Sequence, residues 1–261
     1  MSANTIDEVL GQLTEIISDG ERAGNRTGYF ASLYYKVTAG VKVGIAKGEF
    51  ENGPRMERLD VIFANRYLDA YHQWKNKQTV SGCWKVALDS TRKSSLILLQ
   101  HLLLGVNAHI NLDLGIAAVE TMEGQPFGEI QKDFDLINSI IGSLTYELIH
   151  EISQISPLLS LIGLHANRTD SILIQFSIGN ARDGAWVFAE ELSKLQGPEK
   201  TTSISARDND ITKLASALAV TKGFIRFTIW LIHLFEWKNP AKIIRVLHNY
   251  KKAFIKAAEL K

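Results

Sequence analysis

At 261 residues and 46% hydrophobic, the chain is long enough to bury a large core and sits near the upper size of one domain. Lys plus Arg number 29 against 28 for Asp plus Glu, so a net charge of +1 gives no long-range pull on polyanions and excludes nucleic acid as an expected partner. The single cysteine, Cys83, excludes an internal disulfide and any multi-thiolate zinc site, and it carries no neighbouring signature of a thiol nucleophile.

The N-terminus, MSANTIDEVLGQL, lacks a basic segment followed by an apolar one, so a cytoplasmic protein is expected. Ile6, Val9, Leu10, Leu13, Ile16 and Ile17 then repeat at helical spacing after Thr5, a fitting N-cap, with Gly20 as the expected stop. Tyr29 to Ile45 is rich in β-branched and aromatic residues, yet Leu33, Tyr34, Val37 and Val41 fit a helix equally well. Phe134 to Ile155 repeats its isoleucines and leucines at three and four until Ser156-Pro157. Ile172 to Leu195, closed by Gly197-Pro198, Ile211 to Ala219 and the stretch after Pro240 follow the same pattern. The expected fold is therefore all-α, one helical bundle over residues 1–261, with Lys251, Lys252 and Lys256 on a solvated terminal helix.

Two segments resemble membrane spans. Ser94 to Val119 is long enough to cross a bilayer, but it holds Gln100, His101, Asn107, His109, Asn111 and Asp113, so a buried helix at the centre of a soluble bundle is expected and no span. Gly223 to Trp237 is too short and too charged to span; packing of Phe224, Phe227, Trp230 and Phe235 in the core is expected, over a membrane-surface or lipid-lining role.

Six polar side chains on one buried helix make Ser94 to Val119 the expected site, because buried polar groups are destabilising by several kcal/mol unless each finds a partner. At about 100° per residue, Gln100, Asn107 and Asn111 form an amide stripe facing one neighbour, while His101, Gly105, His109 and Asp113 drift around another side. His109 and Asp113, four apart, can share a metal ion or bond to each other. His101 lies about 12 Å from His109 along the axis, too far to share one zinc unless the helix breaks at Gly105. Asp60, amid Leu59, Val61, Ile62 and Phe63, is the carboxylate most strongly drawn inward; Asp69 and His72 read as a solvated face. Arg182 with Asp183, beside small residues, reads as an ion pair or an anion clamp.

Two readings stay open. In the first, His109 and Asp113 hold a divalent metal such as zinc, Asp60 and His101 serve as general base or further ligands, and Gln100, Asn107, Asn111, Arg182 and Asp183 position an ester or phosphoester for hydrolysis. In the second, a helical binding protein takes a lipophilic small molecule, with Phe224 to Trp237 lining the pocket, or a partner; the polar core then only sets register. The oligomeric state is left open by either.

RLDVIFANRYLDAY (58–71), QHLLLGVNAHINLDLGIA (100–117), DFDLIN (133–138) and ARDGAWVFAEEL (181–192) together resemble a bacterial all-helical family of unknown function over most of the chain. That resemblance implies a fold class and no activity. A weaker similarity is to the zinc-dependent phospholipase C and P1-type nuclease superfamily, whose metal-binding run His101, Gly105, Asn107 and His109 resemble. It would imply a trinuclear zinc phosphoesterase, but the spacing differs and Val106 stands where that run has an aspartate.

Overall fold

In the computed structural model, which describes residues 2–165 and 178–249, the chain is built of helices with no strand among the described residues. Helix α1 spans Ile6–Ala23, and the Thr5 side chain accepts the Glu8 N–H at 3.2 Å. Its stop is Gly24 in the left-handed conformation (φ 60°), not Gly20. Gly20 serves a different need, since a Cβ there would stand 2.8 Å from the Gly28 nitrogen where α1 crosses the next helix. That helix, α2, is Gly28–Ala46, so the stretch left between strand and helix by its composition is helical. Helix α3, Gly53–Lys75, starts under the Asn52 cap. The loop before it is pinned by buried Asp133, which accepts from the Glu51 and Asn52 backbone and from Arg55 at 2.7, 3.2 and 2.8 Å. The amides of Gly82 and Cys83, which open α4 (Gly82–Ser90), donate to Asp208 at 2.7 and 3.0 Å.

The apolar run is one helical rod of three parts: α5 (Leu98–Ala108), a π-helical turn (His109–Leu114) and α6 (Gly115–Thr121). By length and composition Leu98–Thr121 qualifies as a membrane span, but 94% of its apolar window is buried within the fold, against α2, α3, α4 and α7 and the later helices. The Leu98 amide at its start donates to Glu236 at 2.9 Å. Gly105 leaves the helix unbroken; its missing Cβ makes room for Phe30, whose ring carbons would lie 2.5 Å away. Gly105→Ala is thus expected to force Phe30 off its seat and to destabilise by about 1–3 kcal/mol in urea unfolding. A neutral result would show that Phe30 moves freely.

Helix α7 is Gln131–Ile155, between 3₁₀ turns at Phe127–Ile130 and Leu159–His165. Of the helix expected over Ile172–Leu195, α8 is Ile178–Leu192, and residues 172–177 lie outside the described residues, as do Lys251, Lys252 and Lys256. Gly197-Pro198 does not close a helix but opens α9, Gly197–Ala219. Proline in the first turn loses no bond there, since that N–H has no helical partner. Helices α10 (Phe224–Phe235) and α11 (Pro240–Asn249) are the last among the described residues. Phe224, Phe227, Trp230 and Phe235 are more than half exposed, which corrects the expectation of core packing: Ile225, Thr228, Ile229 and Ile232 make the buried face of α10.

Candidate functional site

The π turn places His109 in an aromatic enclosure. Its imidazole stacks on Phe63 at 3.6 Å between centroids and meets the edges of Tyr34 at 4.4 Å and Phe30 at 5.7 Å. On one edge, Nδ1 lies 3.4 Å from Asp113 Oδ2. Asp113 is itself held from two sides, by the Arg66 guanidinium at 2.9 Å on Oδ1 and the Trp84 indole N–H at 2.7 Å on Oδ2. Trp84 is in position because Asp208 caps α4, so a surface-helix carboxylate supports the site at one remove. Burial pushes the His109 imidazole below its ordinary value, opposed by the Asp113 carboxylate. The ring is therefore neutral near neutral pH.

The other edge, Nε2, is buried without a hydrogen-bond partner, and the ring lines a cavity of about 90 Å³. Apolar residues dominate its walls, among them Leu33, Val37, Met56, Leu59, Val106, Ile110 and Leu114. Tyr34, Asp60 and Arg182 are its other polar lining residues. Asp60 Oδ2 and Arg182 Nε are likewise buried with no hydrogen-bond partner, while the buried Tyr34 hydroxyl faces the Thr38 hydroxyl, its neighbour on α2. Burial, with a smaller push from Glu57, raises Asp60 to about 8, so it is an uncharged acid at neutral pH. Burial and the nearby Asp60 carboxyl raise Tyr34 well above the ordinary tyrosine range.

The remaining sequence candidates are distributed as follows. The amide stripe faces α9: Gln100 donates to the Leu218 carbonyl at 2.9 Å, Asn107 to the Ile211 carbonyl at 3.2 Å, and Asn111 to Asn107 at 3.0 Å. These bonds are consumed in helix packing, away from the cavity. His101 lies in a separate polar pocket with Arg26, His233 and Lys238, where burial drives its imidazole down to about 3. Arg182 donates to the Phe134 carbonyl at 2.5 Å and lies over the Phe134 ring, while Asp183 is exposed, so the expected Arg182–Asp183 pair does not form. Buried Asp60 and exposed Asp69 and His72 sit as α3 periodicity places them. Cys83 is buried and its thiol pushed up by burial.

Tyr34, Phe63, Arg66 and Trp84 were not among the sequence candidates. Arg66 carried a signal, being a lone cation on the inward-turning stretch of α3, but its partner 47 residues away could not be read from the chain. Among the described residues no group of three or more His, Cys, Asp or Glu converges as a metal site, and both Asp113 oxygens are already engaged.

A family model described as a family of unknown function (DUF5995) matches residues 6–221. The chain belongs to this family. No curated protein and no solved structure matches it. The resemblance to an all-helical family of unknown function is therefore established, whereas the likeness to zinc-dependent phospholipases and P1-type nucleases is not shown. In this DUF5995 member the matched region takes in α1 through α9, and hence every residue of the cavity named above.

Proposed function

We propose that the protein binds a small, largely apolar molecule carrying one hydroxyl or carbonyl oxygen. The supporting observation is that Asp60 Oδ2 and His109 Nε2, both buried and unsatisfied, belong to residues lining the same apolar cavity, beside the buried Tyr34 hydroxyl. Each such atom is destabilising by about 1–3 kcal/mol when left without a partner, and a ligand hydroxyl would relieve both at once. The neutral Asp60 acid and Tyr34 donate to either oxygen, and His109 Nε2 accepts from a hydroxyl, whereas a carbonyl satisfies the donors alone. At about 90 Å³ the cavity is smaller than the ~150 Å³ that holds benzene, so it suits a compact molecule or the end of a longer one.

The test compares cyclopentanol and cyclopentanone with cyclopentane by ligand-observed NMR and thermal shift. Binding of the alcohol or ketone at least tenfold tighter than the hydrocarbon, lost in the cavity-filling Val106→Phe, is expected. Equal binding of all three, or binding untouched by Val106→Phe, overturns the reading.

A second reading, acid–base catalysis on that molecule, is favoured by Asp113 standing behind Nδ1, an arrangement that fixes the imidazole tautomer and leaves Nε2 as the base. His109→Gln would then retain binding and abolish turnover. The metal-dependent hydrolysis of an ester or phosphoester suggested by the sequence has weaker support, because Asp113 already satisfies Arg66 and Trp84 and His101 faces a different pocket.

A further inference from the structure

Helix α10 is apolar on its inner and outer faces, with Arg226 and His233 together on one side between them, and among the described residues only the inner face has a protein neighbour. Its inner face packs against the 3₁₀ turn Leu159–His165 and the adjoining core. Its outer face presents Phe227, Trp230, Leu234 and Phe235, each more than half exposed. At 3.6 residues per turn these four fall within an arc of roughly 140°. The rings form a stacked row, Phe224 to Phe227 at 6.1 Å and Phe227 to Trp230 at 5.6 Å. Large aromatics so aligned are not the single apolar residues scattered over any protein surface.

The exposed charges along this stretch of chain are of one sign. From 220 to 245 the exposed ionisable side chains are Lys222, Arg226, Lys238, Lys242 and Arg245, the last paired with Glu21 of α1, and the one acid, Glu236, is buried and accepts from Leu98 and Ser156. Lys222 and Arg226 form no ion pair among the described residues, and Lys242 sits 3.6 Å over the Trp237 ring. The neighbouring residues 157–163, PLLSLIG, carry no charge. An overall net charge of +1 therefore conceals a local cationic rim around an aromatic face. That combination suits a lipid interface, where aromatic rings sit at the headgroup boundary and lysines and arginines meet anionic lipid. A helix of 12 residues is too short to span.

We propose that α10 lies on an anionic membrane surface, with Phe227, Trp230, Leu234 and Phe235 inserted at the acyl boundary and Lys222, Arg226, Lys238 and Lys242 at the headgroups. The proposal stands apart from the cavity and does not rest on it. The full chain is mixed with vesicles of phosphatidylglycerol and phosphatidylcholine, or of phosphatidylcholine alone, and co-sedimentation is measured. Tryptophan quenching by brominated acyl chains is followed in parallel.

Binding to the anionic vesicles is expected, at least tenfold weaker on phosphatidylcholine and in high salt, with quenching reduced in Trp230→Phe. The Phe227→Ala/Trp230→Ala variant, checked for an unchanged melting temperature, should lose binding at least tenfold; Lys222→Gln/Arg226→Gln should weaken it while leaving the aromatic face intact. No binding to any vesicle, or binding equal in the variants, overturns the proposal. A concentration-dependent dimer that dissociates in Phe227→Ala/Trp230→Ala overturns it also, by assigning the face to a second copy of the chain.

Discussion

Replacing Arg66 by methionine is expected to destabilise the protein by about 3 kcal/mol, because it strands the Asp113 carboxylate inside the fold. Asp113 is 2% exposed at its side chain and Arg66 is 28% exposed, so some water reaches the vacated position and the low end of the range for a broken buried pair applies. For a chain of this size that corresponds to a fall in melting temperature of roughly 6–10 °C. The effect should depend on pH, since Arg66 is one of the groups holding the His109 imidazole down. Without it His109 takes up a proton more readily and replaces the missing cation, so the variant should be less impaired in mildly acidic than in alkaline urea melts. The Arg66→Met/Asp113→Asn pair should recover most of the loss. A single variant as stable as the parent at all pH values would mean that the Asp113 carboxylate is solvated.

Asp60 should produce the other large effect, with the opposite direction in pH. Its pKa is 3.8 in the open chain and about 8 in the fold, so the folded state holds a proton that the unfolded state releases over that interval. The stabilising contribution of that proton is complete below the unfolded value, declines as pH rises between the two, and is gone above about 8. At about 1.4 kcal/mol for each pH unit, the total is of order 6 kcal/mol. Asp60→Asn keeps the shape and cannot ionise. It should therefore be more stable than the parent at alkaline pH and have a flatter stability profile through the neutral range in chemical unfolding. Parallel profiles for parent and variant would show that Asp60 ionises freely in the fold. Binding of a hydroxyl or carbonyl ligand should likewise weaken as pH passes about 8, where the Asp60 donor is lost.

What could be read from the chain was whatever depends on local spacing. The α1 stripe, the Thr5 cap and the end of α7 at Ser156-Pro157 are short-range features and stand in the structure as expected. Asp60 could be picked out by its apolar neighbours along the chain. The rest depended on contacts between distant segments. Tyr34 joins Asp60 and His109 because α2 packs against α3 and α5, with Phe30 seated against Gly105. Counting at 100° per residue also fails through His109–Leu114, where the turn widens. The aromatic periodicity of α10 was plain, but periodicity cannot tell which of two apolar faces meets protein.

The widened turn has a consequence for register. Residues before it direct Gln100 and Asn107 toward α9, while beyond it Gly115 abuts α8, where an added Cβ would stand 2.8 Å from Phe188. One rod is thus two helices of different phase joined end to end, each answering to its own partner. Deleting a single residue between His109 and Leu114 would restore uniform winding and leave the two halves in nearly their present phase, because the wider turn takes up one extra residue for the same advance about the axis. The segment that orients His109 is consequently the place along the rod where a residue can be lost without turning one helix against its neighbours, and the effect of losing it falls on the His109–Asp113 geometry instead.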